Sequence, residues 1–378
     1  VEGAMSYGAE IAAICDTNEE NLRFAGERYN IPEDRRFTDY RDILNNDEID
    51  IVTVAIPDQQ HVKVSCDFLR AGKNVLCEKP LALTREDLEE MVKVADESGA
   101  KFMVGQICRF TPAFAKTKEL IDNGTLGELY FVESEYAHDY MNIVSNKQNW
   151  RADNARHGVI GGGCHAVDLL RWLAGDPEEV FAYGTHKLLP TVTYDDSTIA
   201  IMKFPNDVAG KVYVSTGCKR DYTMRTCIYG TKGTIICDNT SPTMQLFVVD
   251  ENGVAPEEPQ IIELEVNNHN FVKEFEVFGD AIVNGKEVPT PVEEGAKTEE
   301  GTEIINKIKE ERQLSIIFIT HDLGVIAEMA DYVVVMYAGR IVEKGTNEDI
   351  FHHPMHPYTR SLISAIPIPD PKLEKNKL

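Results

Sequence analysis

The chain has 378 residues, 43% hydrophobic and 27% charged, enough for two or three globular domains with cores of their own. Its net charge of −25 excludes a nucleic-acid partner or an anionic membrane surface, since either would repel it. No run approaches the roughly 18 apolar residues that span a bilayer, so no membrane insertion is expected. The eight cysteines include no Cys-x-x-Cys pair and read as buried hydrophobes of a reducing compartment, not as a disulfide frame or metal site, which gives a cytoplasmic location.

Residues 1–106 alternate short apolar runs with helical patterns. Strands are expected at 9–15, 49–56, 74–77 and 101–105, and helices at 19–29, 59–71 and 84–98, the last capped by Thr84 with Asp87 three residues on. This rhythm predicts βαβ units around a parallel sheet, an α/β fold. After Arg109-Phe110-Thr111-Pro112 the pattern changes to a helix near 113–123, a strand 129–136, a helix within 158–174 and a series of strands between 180 and 266, followed by a helix over 270–284. We expect an α+β second domain on an open antiparallel sheet. Residues 294–302 read as a loop or frayed helix start. Beyond them the βα rhythm returns: a helix 303–311, a strand 314–320, a helix 323–329 and a strand pair 332–337 and 340–342. The domains are therefore set at 1–110, 111–297 and 299–378.

Ligands of open parallel sheets sit beyond the carboxyl ends of the strands, and three successive ends carry Asp16, Asp58 and Lys79. Each has a plainer explanation as well: Asp16 as a helix cap, Asp58 as a turn residue, Lys79 as a surface lysine paired with Glu78. Gly161-Gly162-Gly163-Cys164-His165 opens a helix, with Asp168 on the face of His165. A neutral imidazole there suits a general base, and a core histidine with a capping aspartate suits the spacing equally.

Together, Cys15-Asp16, Ile56-Pro57-Asp58 with His61, Glu78-Lys79-Pro80, Arg109-Phe110, Trp150-Arg151 and Gly163-Cys164-His165 through Asp168 to Leu173 resemble the glucose-fructose oxidoreductase and inositol 2-dehydrogenase family (Gfo/Idh/MocA) over residues 1 to about 297. The resemblance implies a Rossmann domain, a second domain whose open sheet family members often use for homo-oligomerisation, and NAD(P)-dependent hydride transfer on a sugar or cyclitol hydroxyl. It makes Lys79, His165 and Asp168 catalytic. Asp16, Pro57, Asp58, His61, Glu78, Lys79, Pro80 and Arg109 would line the cofactor, and Lys79, Trp150, Arg151, His165 and Asp168 the substrate. Asp16 favours NAD over NADP, because a carboxylate repels a 2′-phosphate. Gly161 departs from the pattern, standing where many members carry an aspartate. Counting back about 20 residues from Asp16 puts the phosphate-binding glycine turn upstream of Val1, so the Rossmann domain is expected to be N-terminally truncated, and activity is not assured by the resemblance.

Ser315 to Asp322, Met336 to Glu343 and His353 to Thr359 resemble the C-terminal end of oligopeptide/dipeptide ABC transporter ATP-binding subunits, a partial ATPase βα tail. In that family His321 would be the switch histidine at the γ-phosphate. The Gly-x-x-x-x-Gly-Lys-Ser/Thr loop and the magnesium-supporting carboxylate do not occur in the sequence, so ATP hydrolysis is not expected. The alternatives to the dehydrogenase reading are a non-catalytic chimeric fragment joined near Thr298 and a peptide-transporter ATP-binding component. In the former case Ile304, Ile305 and Ile308 would stand in for the apolar face of the oxidoreductase family's final helix.

Overall fold

The computed structural model describes residues 1–146, 149–153, 156–310, 330 and 332–364. It divides into two compact units, Val1–Arg312 and Gln313–Leu378.

The first unit opens with helix α1 (Glu2–Tyr7) and a parallel pair, β1 (Ile14–Cys15) beside β2 (Arg36–Phe37). A parallel three-stranded sheet follows: β3 (Ile51–Val54), β4 (Asn74–Glu78) and β5 (Phe102–Gly105), with Val75 opposite both Val52 and Phe102. Helices α2 (Glu19–Arg28), α3 (His61–Arg70) and α4 (Arg85–Ser98) make the connections. The Thr84 hydroxyl accepts from the Asp87 amide at the start of α4, and Gly99, at φ 65°, closes its end in the left-handed region. Central strand β4 is buried on both faces, as a parallel strand between helical layers must be. Val75 and Cys77 join a core with Phe68 and Met91, whereas Leu76 turns to Met103 and to Phe275 and Phe278 of helix α7 (Phe271–Val283).

The 9–15 strand expected from the apolar run is only two residues long, and α1 was not foreseen. Helix α1 is short and its burial is non-local: a Cβ on Gly3 would lie 2.6 Å from the Phe271 carbonyl oxygen, so glycine is what lets α1 approach α7.

The rest of the first unit is an eight-stranded sheet in the order β13-β12-β11-β10-β6-β9-β8-β7. Its strands are β6 (Leu129–Ala137), β7 (Glu179–Thr185), β8 (Ser197–Phe204), β9 (Val208–Ser215), β10 (Arg225–Gly230), β11 (Gly233–Asp238), β12 (Thr243–Val248) and β13 (Gln260–Glu263). The sheet is mixed: β6 and β9 run parallel, Val132 opposite Gly210, and the other pairs are antiparallel. Parallel neighbours need a long crossover, and the chain between them supplies helix α6 (Cys164–Ala174), β7 and β8. Strand β8 alternates strictly, burying Thr198, Ala200, Met202 and Phe204 and exposing Ile199 and Ile201. Helices α5 (Pro112–Asp122) and α6 contribute to the same core as the buried face.

Residues 294–302 form no loop. They lie inside helix α8 (Val292–Glu310), which runs unbroken through the expected junction. Ile305 is fully buried in the core of the first unit, Ile304 is 48% exposed, and the side chain of Ile308 lies outside the described residues.

The second unit has an antiparallel hairpin, β14 (Tyr332–Tyr337) with β15 (Arg340–Thr346), and helices Asn347–His352 and Pro357–Ser364. Its core is small: Val333, Val335 and Ile350, with Phe351, Tyr358 and Leu362 against them. Thr346 and Asp349 form a reciprocal capping box, and the Glu343 carboxylate accepts from the Met355 and His356 amides at 2.6 and 3.1 Å. The expected strand 314–320 and helix 323–329 lie outside the described residues. Among the described residues no helix is long and apolar enough to cross a membrane, and all eight cysteines are free.

Candidate active site

Two strand ends meet residues of the later part of the first unit in one place. Strand β4 delivers Glu78 and then Lys79, whose peptide bond to Pro80 is cis, and the Lys79 ammonium donates to the Gly161 carbonyl at 3.4 Å. Beyond β3, buried Asp58 accepts from Arg156 Nε at 2.6 Å, and Arg156 also donates to the Gly161 carbonyl, at 3.1 Å. Two cations thus converge on one backbone oxygen. A Cβ on Gly161 would lie 2.1 Å from an Arg156 nitrogen, so the guanidinium fills the space into which a side chain at 161 would project.

His61 ties the strand ends together. Its Nδ1 lies 2.7 Å from the Pro80 carbonyl and its Nε2 2.9 Å from that of Ile56, and two carbonyl acceptors call for two N–H donors. Burial works against the resulting charge, but the Cys77 sulfur, the Pro80 carbonyl and Asp58 outweigh it and hold the group up to about 9. Burial likewise opposes the Lys79 charge and is overcome by Cys164 and Tyr140 facing it, so the group stays a cation.

His165 lies in the first turn of α6, 3% exposed, stacked at 6.2 Å on Tyr136. Burial pushes its pKa well below the ordinary histidine value, and Lys79, His269 and Arg156 push the same way. The ring is therefore neutral near pH 7, and its Nδ1 has no partner among the described residues. Tyr136 Oη contacts Tyr140 Oη at 2.9 Å, and His138, Tyr222 and His269 extend a wall of rings beside it.

Trp150 and Arg151 sit on a short turn whose Trp150 carbonyl and Asp153 carboxylate accept from Gln59 at 3.4 and 3.0 Å, which pins it to the Rossmann part. The Arg151 guanidinium lies 4.1 Å from the Trp150 ring centre, and that of Arg156 5.1 Å.

Other expected site residues are placed differently. Asp168 is completely buried, with both carboxylate oxygens held by Arg109 at 2.9 and 2.7 Å and one also by the Thr298 hydroxyl at 3.0 Å. Arg109 reaches Glu294 at 3.2 Å as well. Asp16 lies at the end of β1, in the separate two-stranded pair, where its carboxylate accepts from the Asn18 amide at 2.8 Å and the Asn21 side chain at 3.2 Å. The cap of α2 is Asn18, not Asp16. His321 lies outside the described residues.

Several polar groups at the site escaped the sequence reading. Gln106 follows β5 directly, beside Lys79 because Gly105 pairs with Glu78, and is fully buried with neither amide atom partnered among the described residues. The strand-end logic that found Lys79 could have found it. Buried Glu274 and Glu299 each keep one carboxylate oxygen unpartnered. Burial pushes Glu274 up to about 9, Glu78 adding to the effect, and pushes Glu299 up to about 8. Arg156, Tyr136, Tyr140 and Tyr222 carry no local signal. Among the described residues no three His, Cys, Asp or Glu side chains could hold a metal ion.

Residues 3–106 match the model of an oxidoreductase family with an NAD-binding Rossmann fold (GFO/IDH/MocA), 114–236 that of the GFO/IDH/MocA C-terminal domain, and 342–378 that of the oligopeptide/dipeptide transporter C-terminal region. Inositol 2-dehydrogenase of Salmonella typhimurium is 25% identical over 228 residues, 60% of this chain and 65% of that protein. The oligopeptide transport ATP-binding protein OppF of Escherichia coli is 54% identical over 74 residues, 20% of this chain and 22% of that protein. The chain therefore spans less than two thirds of either relative. Levoglucosan dehydrogenase, in a complex with NADH, shares the fold with a TM-score of 0.73 at 21% identity, over 82% of this chain and 93% of its own. Residues 3–106 and 114–236 thus belong to the Gfo/Idh/MocA family of NAD-binding oxidoreductases, and residues 342–378 to the C-terminal region of oligopeptide/dipeptide transporters.

Proposed function

We propose that the first unit oxidises a hydroxyl of a sugar or cyclitol with NAD as hydride acceptor. The observation that carries this reading is the pairing, at one site, of a cationic Lys79 with a buried neutral His165 whose Nδ1 lacks a partner among the described residues. Oxidising a CH–OH group removes a hydride from carbon and a proton from oxygen. His165 Nδ1 is the group able to take that proton, and the Lys79 ammonium orients the hydroxyl and stabilises its developing negative charge. The names of the inositol and levoglucosan dehydrogenases support a CH–OH substrate.

The residues present fit the cofactor. The orphaned Gln106 amide offers a donor and an acceptor beside Lys79, as a nicotinamide carboxamide requires, and Asp16 would hold the adenosine ribose and disfavour NADP. NAD supplies the hydride-accepting ring. Pro57, His61, Glu78 and Pro80 shape the strand ends against which it would lie. Asp168 and Arg109 satisfy one another, so in this reading they position α6, and with it His165, and touch no ligand. Titrating the purified chain with NADH by nicotinamide fluorescence tests the proposal. Saturable binding, weaker for NADPH, is expected, together with NADH formation from a polyol; no saturable NADH binding would overturn it.

A further inference from the structure

The charges around this site leave it with more cations than anions. Lys79 and Arg151 form no ion pair among the described residues, although the chain as a whole carries a net charge of −25. Arg156 is neutralised by Asp58; of the other carboxyls facing Lys79, Glu299 is pushed up to about 8 by burial and so is largely protonated at neutral pH, and Glu78, also pushed up by burial, is matched by the His61 cation beside it. At residue 161 a glycine gives way to the Arg156 guanidinium, so no carboxylate projects from that position. The three cations are linked in space: Lys79 and Arg156 share the Gly161 carbonyl, and Arg156 and Arg151 share the Trp150 ring.

A half-buried guanidinium that rests on an indole, with no carboxylate opposite, keeps its hydrogen-bonding fork available. A neutral polyol would leave the excess of cations uncompensated, whereas an anionic one would balance it.

We propose that the substrate is an anionic polyol, a sugar acid or a sugar phosphate, whose reacting hydroxyl meets Lys79 and His165 while its oxyanion is gripped by Arg151. The proposal rests on the hydride-transfer reading of the same site and adds a substrate class to it.

The test uses the full chain saturated with NADH and measures, by calorimetry, the binding of galactose, galacturonate and a galactose phosphate. One anionic sugar is expected to bind about tenfold or more tightly than galactose, since a charge-assisted hydrogen bond is worth that much; which one separates carboxylate from phosphate recognition. Arg151→Gln should remove most of that preference and Arg151→Lys should restore part of it, with NADH affinity serving as the check that each variant is folded. Galactose binding as tightly as both anions would overturn the proposal and leave the hydride-transfer reading standing. So would an Arg151→Gln variant that keeps the preference, or one that loses NADH affinity alone, which would assign the guanidinium to a dinucleotide phosphate. Absence of NADH binding to the unaltered chain would bring down both readings.

Discussion

The two units differ in where they leave buried polar atoms unpartnered: among the described residues eight of the nine such atoms lie in the first unit and one, Thr359 Oγ1, in the second. The first buries polar groups where water is scarce: His165, Gln106, Glu274 and Glu299 all keep an atom without a partner among the described residues. The second leaves apolar groups in water, with Tyr332, Val334, Met336 and Ile341 on one side of its hairpin all about half exposed or more. Unpaired buried polar atoms are costly, and so are rare outside sites where a ligand completes them. A contiguous exposed apolar face marks surface adapted to packing. The first unit gathers several unpartnered polar atoms at the candidate site, whereas the described part of the second presents an apolar face on its hairpin.

The contrast can be broken most forcefully at the buried ion pair. Arg109→Leu strands Asp168 without its counter-charge and should cost the first unit about 3–5 kcal/mol in urea unfolding. Hydrogen exchange at 332–337 should not change. A mutation felt equally in both would erase the distinction between the units.

At the site itself, Lys79→Met should lower kcat by at least roughly 10²-fold while leaving the urea midpoint near its original value, because Lys79 bonds a backbone carbonyl and has no ion-pair partner among the described residues to strand. Unchanged turnover would mean that the first unit's unpaired polar groups serve no chemistry.

Glu274 gives the contrast a pH dependence. Its folded pKa, raised from 4.5 to about 9, means that the folded state holds a proton that the unfolded chain releases. Its contribution to stability is therefore fully present below pH 4.5 and is lost as pH rises toward 9. Glu274→Gln should flatten this decline and stabilise the chain by roughly 2–3 kcal/mol at pH 7. A decline that persists in the variant would assign it to other groups. The smallest effect belongs to the second unit: Val334→Lys should change stability by no more than about 0.5 kcal/mol and reduce self-association in sedimentation. The same experiment with Ile201→Lys tests whether the outer face of the eight-stranded sheet joins copies of the chain, as its exposed Phe181, Tyr183 and Ile199 suit it to do.

What the sequence made legible was local. Apolar period and turn residues located β3 to β5, α3 to α6 and the hairpin closely, and strand ends pointed to Asp58 and Lys79. The misreadings were of long range. The parallel β6–β9 pair depends on a crossover of some seventy residues, which no local pattern encodes. Arg156 matters only because folding sets it between Asp58 and Gly161, and α1 only because Gly3 lets it settle on Phe271. Asp168 was found for its spacing from His165, yet its partners, Arg109 and Thr298, are 59 and 130 residues away. Spacing can nominate a carboxylate; it cannot say whether a guanidinium already occupies it.

Helix α8 gives the junction expected near Thr298 a mechanical character. Thr298, where the junction is expected, bonds Asp168 and Arg171, and Ile305, about two turns further along the helix, fills the core of the first unit. A cut at that expected junction would saw through a beam. A protease, which reads exposure, should pass over this stretch, and a truncation that keeps the first unit's core whole must keep α8 through Ile305.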